Sequence, residues 1–548
     1  MGETAHNPAP VLVAAPPPSS LAFSKGPSWS PSEILQNLEY CIHSNPSWPE
    51  TFLLAFQHYI VMLGTTILIT RTLVTQMGGD PADAARVIQT LVFMSGINTL
   101  LQTFIGTRLP TVMGPSYAFV LPVLSIIRDY NDETFSKEHD RFEAIMRTIQ
   151  GSMIVSSFIN IILGYSKGWK LGRFSLLYCF LIFSLLCFNV PRLLSPITIV
   201  PVVCVVGLGL FMRGFPLLAN CVELGLPMLI LLVICQNLHS SARPVLERYG
   251  LLFCGGIIWA FAAILTVAGA YNNVGYRTKQ SCRTDRSYLI SSSPWVRVPY
   301  PFQWGAPIFR ASHVFGMIGA TLVSAAESTG AFYGAARLAG ATSPPAHVLS
   351  RSIGLQGVGL LLDGIFGAAV GSTASVENVG LLGHTHIGSR RVVQVSTGFM
   401  FFFSIFGKFG GLFASIPLAI FAAAYCVLYG IVAAIGISFI QFSNTNSMRN
   451  HYVLGLALFL AISIPQYFVS NTTGDGHGPI RADGGWFNDI LNTVFSSPPA
   501  VAMIVGATSN DRGIPWWKPF QNRKGDSRSA EFYGMPIRIN EWMPTRYL

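Results

Sequence analysis

The chain has 548 residues, of which 51% are hydrophobic and only 11% are charged. Soluble domains carry about 25% charged residues, so this composition excludes a water-soluble globular protein and indicates a chain that lies largely in lipid. The formal net charge is +10, but the basic residues lie mainly in loops and in the C-terminal tail. No basic stripe interleaved with aromatics is present, so we expect no nucleic-acid binding and interpret the charge through the positive-inside rule.

The nine cysteines predict neither a disulfide framework nor a metal site. Many lie inside apolar runs, such as Cys204, Cys254 and Cys426, and no CxxC pair occurs. We therefore expect them to pack as small core residues, with no metal and no cofactor.

The first residues, 1–35, are rich in Pro and Ala and lack the charged and apolar regions of a signal peptide, which predicts a disordered cytosolic tail. A membrane helix needs about 20 apolar residues, and fourteen segments satisfy or approach this requirement. They are residues 51–74, 87–106, 110–127, 142–164, 195–212, 224–238, 249–271, 312–330, 350–370, 376–382 together with the residues directly after it, 392–406, 412–440, 452–469 and 490–508. The predicted fold is an all-α polytopic membrane protein with an extracellular loop at 272–311 and a cytosolic tail at 511–548.

The third and tenth spans are interrupted in a similar way. Gly and Pro flank the extended-looking residues 116–120 in one and Ser372–Val376 in the other. A helix inside lipid can break only where the freed backbone groups face protein or water, and paired broken spans are typical of a transporter's binding site. The spacing of seven spans predicts two inverted seven-span repeats with short extended stretches in spans 3 and 10. Two ordinary kinked helices are the alternative.

Four ionisable residues lie within the predicted spans, where such groups are functional candidates. They are His58, Glu327, Asp363 and Glu377. His58 and Glu327 occupy equivalent spans of the two repeats, although a structural role for His58 is equally open. Glu377 precedes a half-helix whose positive N-terminal end stabilises a carboxylate.

These residue types together suit a flat, hydrogen-bonding solute. A carboxylate such as that of Glu377 accepts two N–H bonds, and the amide of Asn378 both donates and accepts. The ring of Tyr117, on the other broken span, can stack on a planar base. The sequence therefore favours a planar lactam over a metal ion or a lipid.

With these residues in place, the sequence resembles the nucleobase–ascorbate transporters, which are nucleobase:cation symporters of the uracil/xanthine permease type. The family signature (Q/E/P)-N-x-G-x4-T-x4-(R/K/G) corresponds here to Glu377-Asn378-Val379-Gly380, followed by Thr385 and Arg390. The Gln57-His58 pair, the Ala326-Glu327-Ser328 segment and Asp363-Gly364 also match. The terminal sequences look most like those of plant members.

The resemblance implies a division into two domains and a homodimer that works by an elevator-like motion. The core domain would comprise residues 36–165 (spans 1–4) and 312–408 (spans 8–11). The gate domain would comprise residues 166–271 (spans 5–7) and 409–510 (spans 12–14).

The resemblance also implies roles for individual residues. Glu327 would bind the base directly, and Glu377 would make a second pair of contacts beside Val376. Asn378 would shape affinity and specificity, and Ser116 and Tyr117 would supply backbone and ring contacts. His58 and Asp363 would support the site and its coupling.

We therefore predict an importer of nucleobases (purines, uracil or both) in the plasma membrane, with the proton as coupling ion. Glu327 would load a proton together with the solute. Ascorbate or another organic anion is the alternative cargo, although Glu377 would repel an anion by about 1–4 kcal/mol at contact distance. A membrane enzyme is disfavoured because the sequence has no GxxxxGK(S/T), HExxH or GxSxG motif, and a channel would need a continuous polar pore.

One segment departs from the family pattern. Phe174–Val190 is an uncharged apolar run of 17 residues between the fourth and fifth spans, where family members have a short polar loop. Crossing the membrane here would invert every later span, so we predict an interfacial or hairpin insertion that does not cross.

Overall fold

The fold is known from a computed structural model, which is predominantly helical. It describes residues 35, 38–131, 135, 137–165, 195–237, 243–284, 295–408, 412, 416–472, 478–481, 485–509 and 529–534. Eight helical stretches in these ranges are long and apolar enough to cross a membrane. The apolar run 174–190, most of the N-terminal tail and most of the C-terminal tail lie outside the described residues, so the prediction for the run stays untested.

The helices follow one another with two short strands between them. In chain order they are α1 Trp48–Met77, α2 Pro81–Phe104, β1 Met113–Pro115, α3 Val120–Asp129, α4 Glu138–Tyr165, α5 Pro196–Leu208, α6 Phe215–Leu218, α7 Val222–Asn237, α8 Arg243–Val267, α9 Tyr276–Cys282, α10 Ala311–Leu338, α11 Ala346–Phe366, β2 Ser372–Ala374, α12 Val376–Thr385, α13 Arg390–Ile405, α14 Leu418–Ser438, α15 Met448–Ser470, α16 Gly485–Phe495, α17 Pro498–Gly506 and α18 Ser529–Tyr533.

Local sequence explains where the first long helix begins and ends. Pro49 lies in the first turn of α1, and the Glu50 carboxylate accepts a hydrogen bond from the Ser47 backbone N–H. Gly78 ends the helix in the left-handed conformation, with φ of 86°, which a residue without a side chain adopts at little cost.

Small residues let several helices approach one another closely. A Cβ on Gly164 of α4 would lie 2.2 Å from the Gly354 Cα of α11, so the two backbones are almost in contact there. Gly319 of α10 lies against Ile490 of α16, and Gly330 of the same helix lies against Val206 of α5. Close glycine contacts are typical of helix packing in membranes, and here they hold α10 between α5 and α16.

The two broken spans pair with each other as a two-stranded antiparallel sheet. Met113 lies opposite Ala374, Gly114 opposite Thr373 and Pro115 opposite Ser372. The prediction of short extended stretches in both spans is confirmed, but the first lies at Met113–Pro115 rather than at residues 116–120. Residues Tyr117–Phe119 form a 3₁₀ turn instead, because the Ser116 hydroxyl accepts a bond from the Ala118 N–H and starts the turn.

The expectation that the cysteines only pack as core residues is wrong for two of them. Cys221, just before α7, is joined by a disulfide to Cys282 at the end of α9, 61 residues further along. A separation of this length leaves no spacing signal in the sequence. Disulfides persist on oxidising faces of membranes, so the bridge agrees with an extracellular position for the loop that contains α9.

Breaking this bridge should lower the stability of the protein. Closing a loop of 61 residues is worth about 4 kcal/mol in the chain-entropy estimate. We expect Cys221→Ser to lower the melting temperature of the purified protein in detergent by several degrees. Cys426→Ser, which removes a free cysteine, should leave it unchanged. An equal melting temperature for Cys221→Ser and the wild type would contradict a stabilising bridge.

Candidate functional site

A pocket lies where two segments meet α1, α5, α10 and the start of α17. These paired segments are residues 113–117 and 372–377, that is, β1 and β2 together with the residues that directly follow each strand. It has about 490 Å³ of empty space, including its open mouth. Five of the residues predicted to contact a solute line it: Ser116, Tyr117, Glu327, Val376 and Glu377. The sequence therefore identified residues that the fold brings together from positions more than 200 apart in the chain.

The walls of the pocket differ in chemistry. The two carboxylates and several hydroxyl groups lie on α1, α10 and the paired segments. The opposite wall is apolar and consists of Val205, Val206, Gly209, Leu210, Pro498 and Pro499, from α5, the loop after it and the start of α17. A flat solute would thus meet hydrogen-bonding groups on one side and hydrocarbon on the other, as in most small-molecule sites.

Glu327 reaches the pocket from the middle of α10. Its Oε2 accepts a hydrogen bond from the Ser116 hydroxyl at 3.1 Å, and its side chain is half-buried. A carboxylate has about four lone-pair positions, so one hydroxyl donor leaves acceptor capacity for the N–H groups of a solute.

Glu377 lies in the first turn of α12 and is buried. The N-cap Ser375 accepts a bond from the Asn378 N–H, so the positive helix end lies beside the carboxylate, as predicted from the sequence. The Thr65 hydroxyl donates to Glu377 Oε1 at 2.6 Å, and the Tyr425 hydroxyl lies 3.1 Å from Thr65. Sequence reasoning missed Thr65 and Tyr425, because a single hydroxyl in an apolar span gives little signal.

Asn378 and His58 lie behind the pocket rather than on its wall. The Asn378 Oδ1 is 2.9 Å from the His58 Nδ1, and its Nδ2 donates to the Ser375 hydroxyl at 2.7 Å. Asn378 is 1% exposed and His58 is 3% exposed. In this structure both side chains therefore fix the start of α12 relative to α1, and a direct contact of Asn378 with a solute would require it to rearrange.

The Asp363 side chain, on α11, bonds both to β2 and to α2. Its two carboxylate oxygens accept bonds from the Asn98 amide at 3.0 Å, from the Ser372 N–H at 2.9 Å and from the Ser372 hydroxyl at 2.6 Å. The residue is fully buried. Its geometry is that of a support for β2, at some remove from the pocket wall.

Tyr117 is covered on one side by a cation that the sequence did not point to. The guanidinium carbon of Arg213, in the loop after α5, lies 4.0 Å from the centre of the Tyr117 ring. This cation–π contact joins a residue of the paired segments to the apolar side of the pocket. Arg213 therefore places a positive charge at the rim of a pocket whose interior is acidic.

Comparisons with known proteins identify the family. A family model described as "Permease family" (Xan_ur_permease) matches residues 49–175 and 173–470. "Nucleobase-ascorbate transporter 3" of Arabidopsis thaliana is 65% identical over 560 aligned positions, covering 99% of this chain and 98% of that protein. The chain belongs to the nucleobase–ascorbate transporter family.

Other nucleobase–ascorbate transporters agree with the assignment. "Nucleobase-ascorbate transporter 2" of Arabidopsis thaliana is 52% identical over 531 positions, covering 94% of this chain and 98% of that protein. The transmembrane domain of the cyanobacterial bicarbonate transporter BicA matches with a TM-score of 0.41 at 14% identity, covering 78% of this chain and 98% of that one, a likeness too weak to add to the assignment. The chain is thus an integral, multi-pass membrane protein of a transporter family.

The remaining positions that the resemblance assigns to the family signature lie away from the pocket wall. Gly380 packs against α14, where a Cβ would lie 2.4 Å from the Leu428 carbonyl oxygen. The Thr385 hydroxyl donates to the Leu381 carbonyl within α12. Arg390 begins α13 and donates to the carbonyl oxygens of Arg108 and Phe532. These three positions serve packing and the ends of helices in this structure.

Proposed function

We propose that this protein imports nucleobases (purines, uracil or both) across the plasma membrane by proton symport. The observation that supports this proposal best is the joint presence of Glu327 and Glu377 on one wall of the same pocket. Two carboxylates with spare acceptor positions match the edge of a heterocycle that presents N–H groups. The Tyr117 ring and the apolar wall suit its flat faces.

The identity of the cargo rests on charge. Two acidic side chains in one pocket favour a neutral base over an anion such as ascorbate, because like charges at contact distance repel. Arg213 is the one observation that favours the alternative, since it brings a cation within 4.0 Å of the Tyr117 ring. The names of the relatives include both kinds of cargo, so a competition experiment has to separate them.

The proposed mechanism is an elevator motion of a core domain against a gate domain in a homodimer. Fourteen spans in two inverted repeats would place the broken spans 3 and 10 at equivalent positions, and their antiparallel pairing supports this arrangement. The polar wall of the pocket belongs to residues 36–165 and 312–408, and the apolar wall to residues 166–271 and 409–510. A solute in this pocket would therefore lie between the two proposed domains.

Proton coupling is assigned to Glu327 in this proposal. A proton on Glu327 neutralises one of the two negative charges in the pocket, and its Ser116 partner can hold either form because a hydroxyl both donates and accepts. The proton and the base would then move together. His58 and Asp363, which hold the starts of α12 and β2, would support this site.

Uptake of radiolabelled bases by a yeast strain without its own base transporters tests the proposal. We expect saturable uptake that uracil, adenine, guanine or xanthine inhibits, that ascorbate does not inhibit, and that a proton ionophore abolishes. Inhibition by ascorbate without inhibition by any base would overturn the cargo. Uptake that changes neither with the proton ionophore nor with the outside pH would overturn the proposed proton coupling.

A further inference from the structure

Residues 529–534, in the C-terminal region, pack against residues of the proposed core domain. The last described residues, 529–534, include the short helix α18 and the Tyr533 side chain, which is 2% exposed. A tyrosine near the end of a chain is seldom buried unless the segment is docked. The contacts of this segment show what holds it there.

Two arginines bind the segment through its backbone. Arg351 Nη2 donates to the Tyr533 carbonyl oxygen at 2.9 Å, and Arg390 Nη2 donates to the Phe532 carbonyl oxygen at 3.1 Å. Both arginines also donate through Nε to the loop after α2, Arg351 to the Gly106 carbonyl and Arg390 to the Arg108 carbonyl. Each guanidinium thus joins the C-terminal segment to that loop.

Side chains of the segment make further contacts. The Tyr533 hydroxyl donates to the Thr342 carbonyl oxygen, and the Ser529 hydroxyl lies 3.2 Å from the Thr342 hydroxyl. The Phe532 ring stacks on His43 with centres 5.6 Å apart and planes 16° apart. Burial and the nearby Arg390 lower the pKa of His43, which favours the neutral ring in this stack.

All these partners belong to the proposed core domain, whereas the chain arrives from the proposed gate domain. Residues 43, 106, 108, 342, 351 and 390 fall within 36–165 and 312–408. By contrast, α17 packs against α5, where a Cβ on Gly506 would lie 3.0 Å from the Thr198 Cα. Residues 498–506 and residues 529–534 therefore pack against different proposed domains.

The segment supplies hydrogen-bond acceptors to the guanidinium groups of Arg351 and Arg390, and its loss should therefore lower the stability of the protein. Buried charged groups require hydrogen-bond partners, and the segment supplies one carbonyl oxygen to each arginine. Without it, Arg351, Arg390 and the neighbouring Arg108 would be three cations with fewer acceptors between them. Loss of the segment would also remove the Phe532 ring from its stack on His43 and the Tyr533 side chain from its buried position.

We propose that residues 529–534 form a cap that stays attached to the core domain throughout the transport cycle, and that Arg390 of the signature anchors this cap instead of contacting the solute. The motion in this proposal rests on the elevator mechanism proposed above. The anchoring role of Arg390 is independent of that mechanism, because measurements of protein stability test it without any transport.

A double-mutant cycle on stability tests the anchor without any transport. Truncation after Arg528 and Arg390→Gln should each lower the melting temperature of the detergent-solubilised protein by several degrees. The two changes together should lower it by clearly less than the sum of the two single losses, because both remove the hydrogen bond from Arg390 to the Phe532 carbonyl oxygen. Tyr533→Phe, which keeps the ring and the backbone carbonyl, should have a smaller effect. Additive losses would overturn the anchoring role.

A reversible cross-link tests whether the cap stays attached during transport. Ser529→Cys and Thr342→Cys would be combined with Cys41→Ser, because Cys41 lies close to Gly340 in the same loop region. We expect the oxidised, cross-linked transporter to retain base uptake within about twofold of its reduced form. Uptake lost on oxidation and restored by reductant would show that the cap must detach, which overturns the proposal. If the wild type transports no base, the proposed function has failed, and the stability cycle still decides the anchor.

Discussion

Glu327→Gln should reduce base uptake by about 100-fold while the protein still folds and reaches the membrane. Glutamine has the same size and can still hydrogen-bond to Ser116, which lies 3.1 Å from Glu327. It has no negative charge to attract the N–H groups of a base, and its amide cannot take up and release a proton as a carboxylate can. Loss of a hydrogen bond to a charged group is worth about 1.5–3 kcal/mol, or about 10- to 150-fold. Initial rates of radiolabelled uptake at several outside pH values measure the effect.

The matched control for Glu327→Gln is Ser116→Ala. It removes the neutral hydroxyl partner, together with the acceptor of the Ala118 N–H, and leaves the carboxylate. Uptake should therefore fall by about 10-fold or less and should keep its dependence on outside pH. Surface labelling of both variants separates transport from expression. If Glu327→Gln accumulated base with an unchanged pH dependence, Glu327 could not be the coupling residue.

Gly380→Ala should also impair transport severely, for a steric reason. The new Cβ would lie 2.4 Å from the Leu428 carbonyl oxygen of α14, which is backbone and cannot turn aside as a side chain can. Overpacking of this kind costs about 1–3 kcal/mol. The separation of α12 from α14 would also displace Glu377, and a shift of about 1 Å at a functional group can lower a rate by about 100-fold. We therefore expect lower uptake together with a lower melting temperature.

Two other glycines provide the controls for Gly380→Ala. A Cβ on Gly430, which lies on α14 itself, or on Gly398 of α13 would meet no other atom within 4 Å. Gly430→Ala and Gly398→Ala should leave uptake and melting temperature near wild type. If Gly380→Ala behaved as they do, the close approach of α12 and α14 would not matter for transport.

The position of the site could be predicted from sequence because the chemistry that builds it is unusual in lipid. Acidic residues at 327 and 377 and two Gly- and Pro-interrupted spans stand out against an apolar background, and the structure brings them together in one pocket. The helical class of the fold followed from composition for the same reason. The exact pairing, Gly114 opposite Thr373, has no such signal, since it depends on where two distant segments meet.

Other features escaped prediction because they depend on partners far apart in the chain. Thr65 looks like an ordinary residue of an apolar span until α1 is placed beside α12, 312 positions later. Cys221 and Cys282 look like other cysteines until α9 folds back towards the start of α7. Asn378 was predicted to contact the solute from its functional groups alone, but those groups are already bonded to His58 and Ser375.

Strands β1 and β2 are only three residues long each. Such short strands limit which sequence changes the site can tolerate. Successive residues of a strand point to opposite faces, so adding or removing a single residue there would turn Ser116 or Glu377 away from the pocket. Substitution can retune such a site one side chain at a time, whereas a change of length would dismantle it. We therefore expect the evolution of cargo preference in these segments to proceed by exchange of residues and almost never by insertion or deletion.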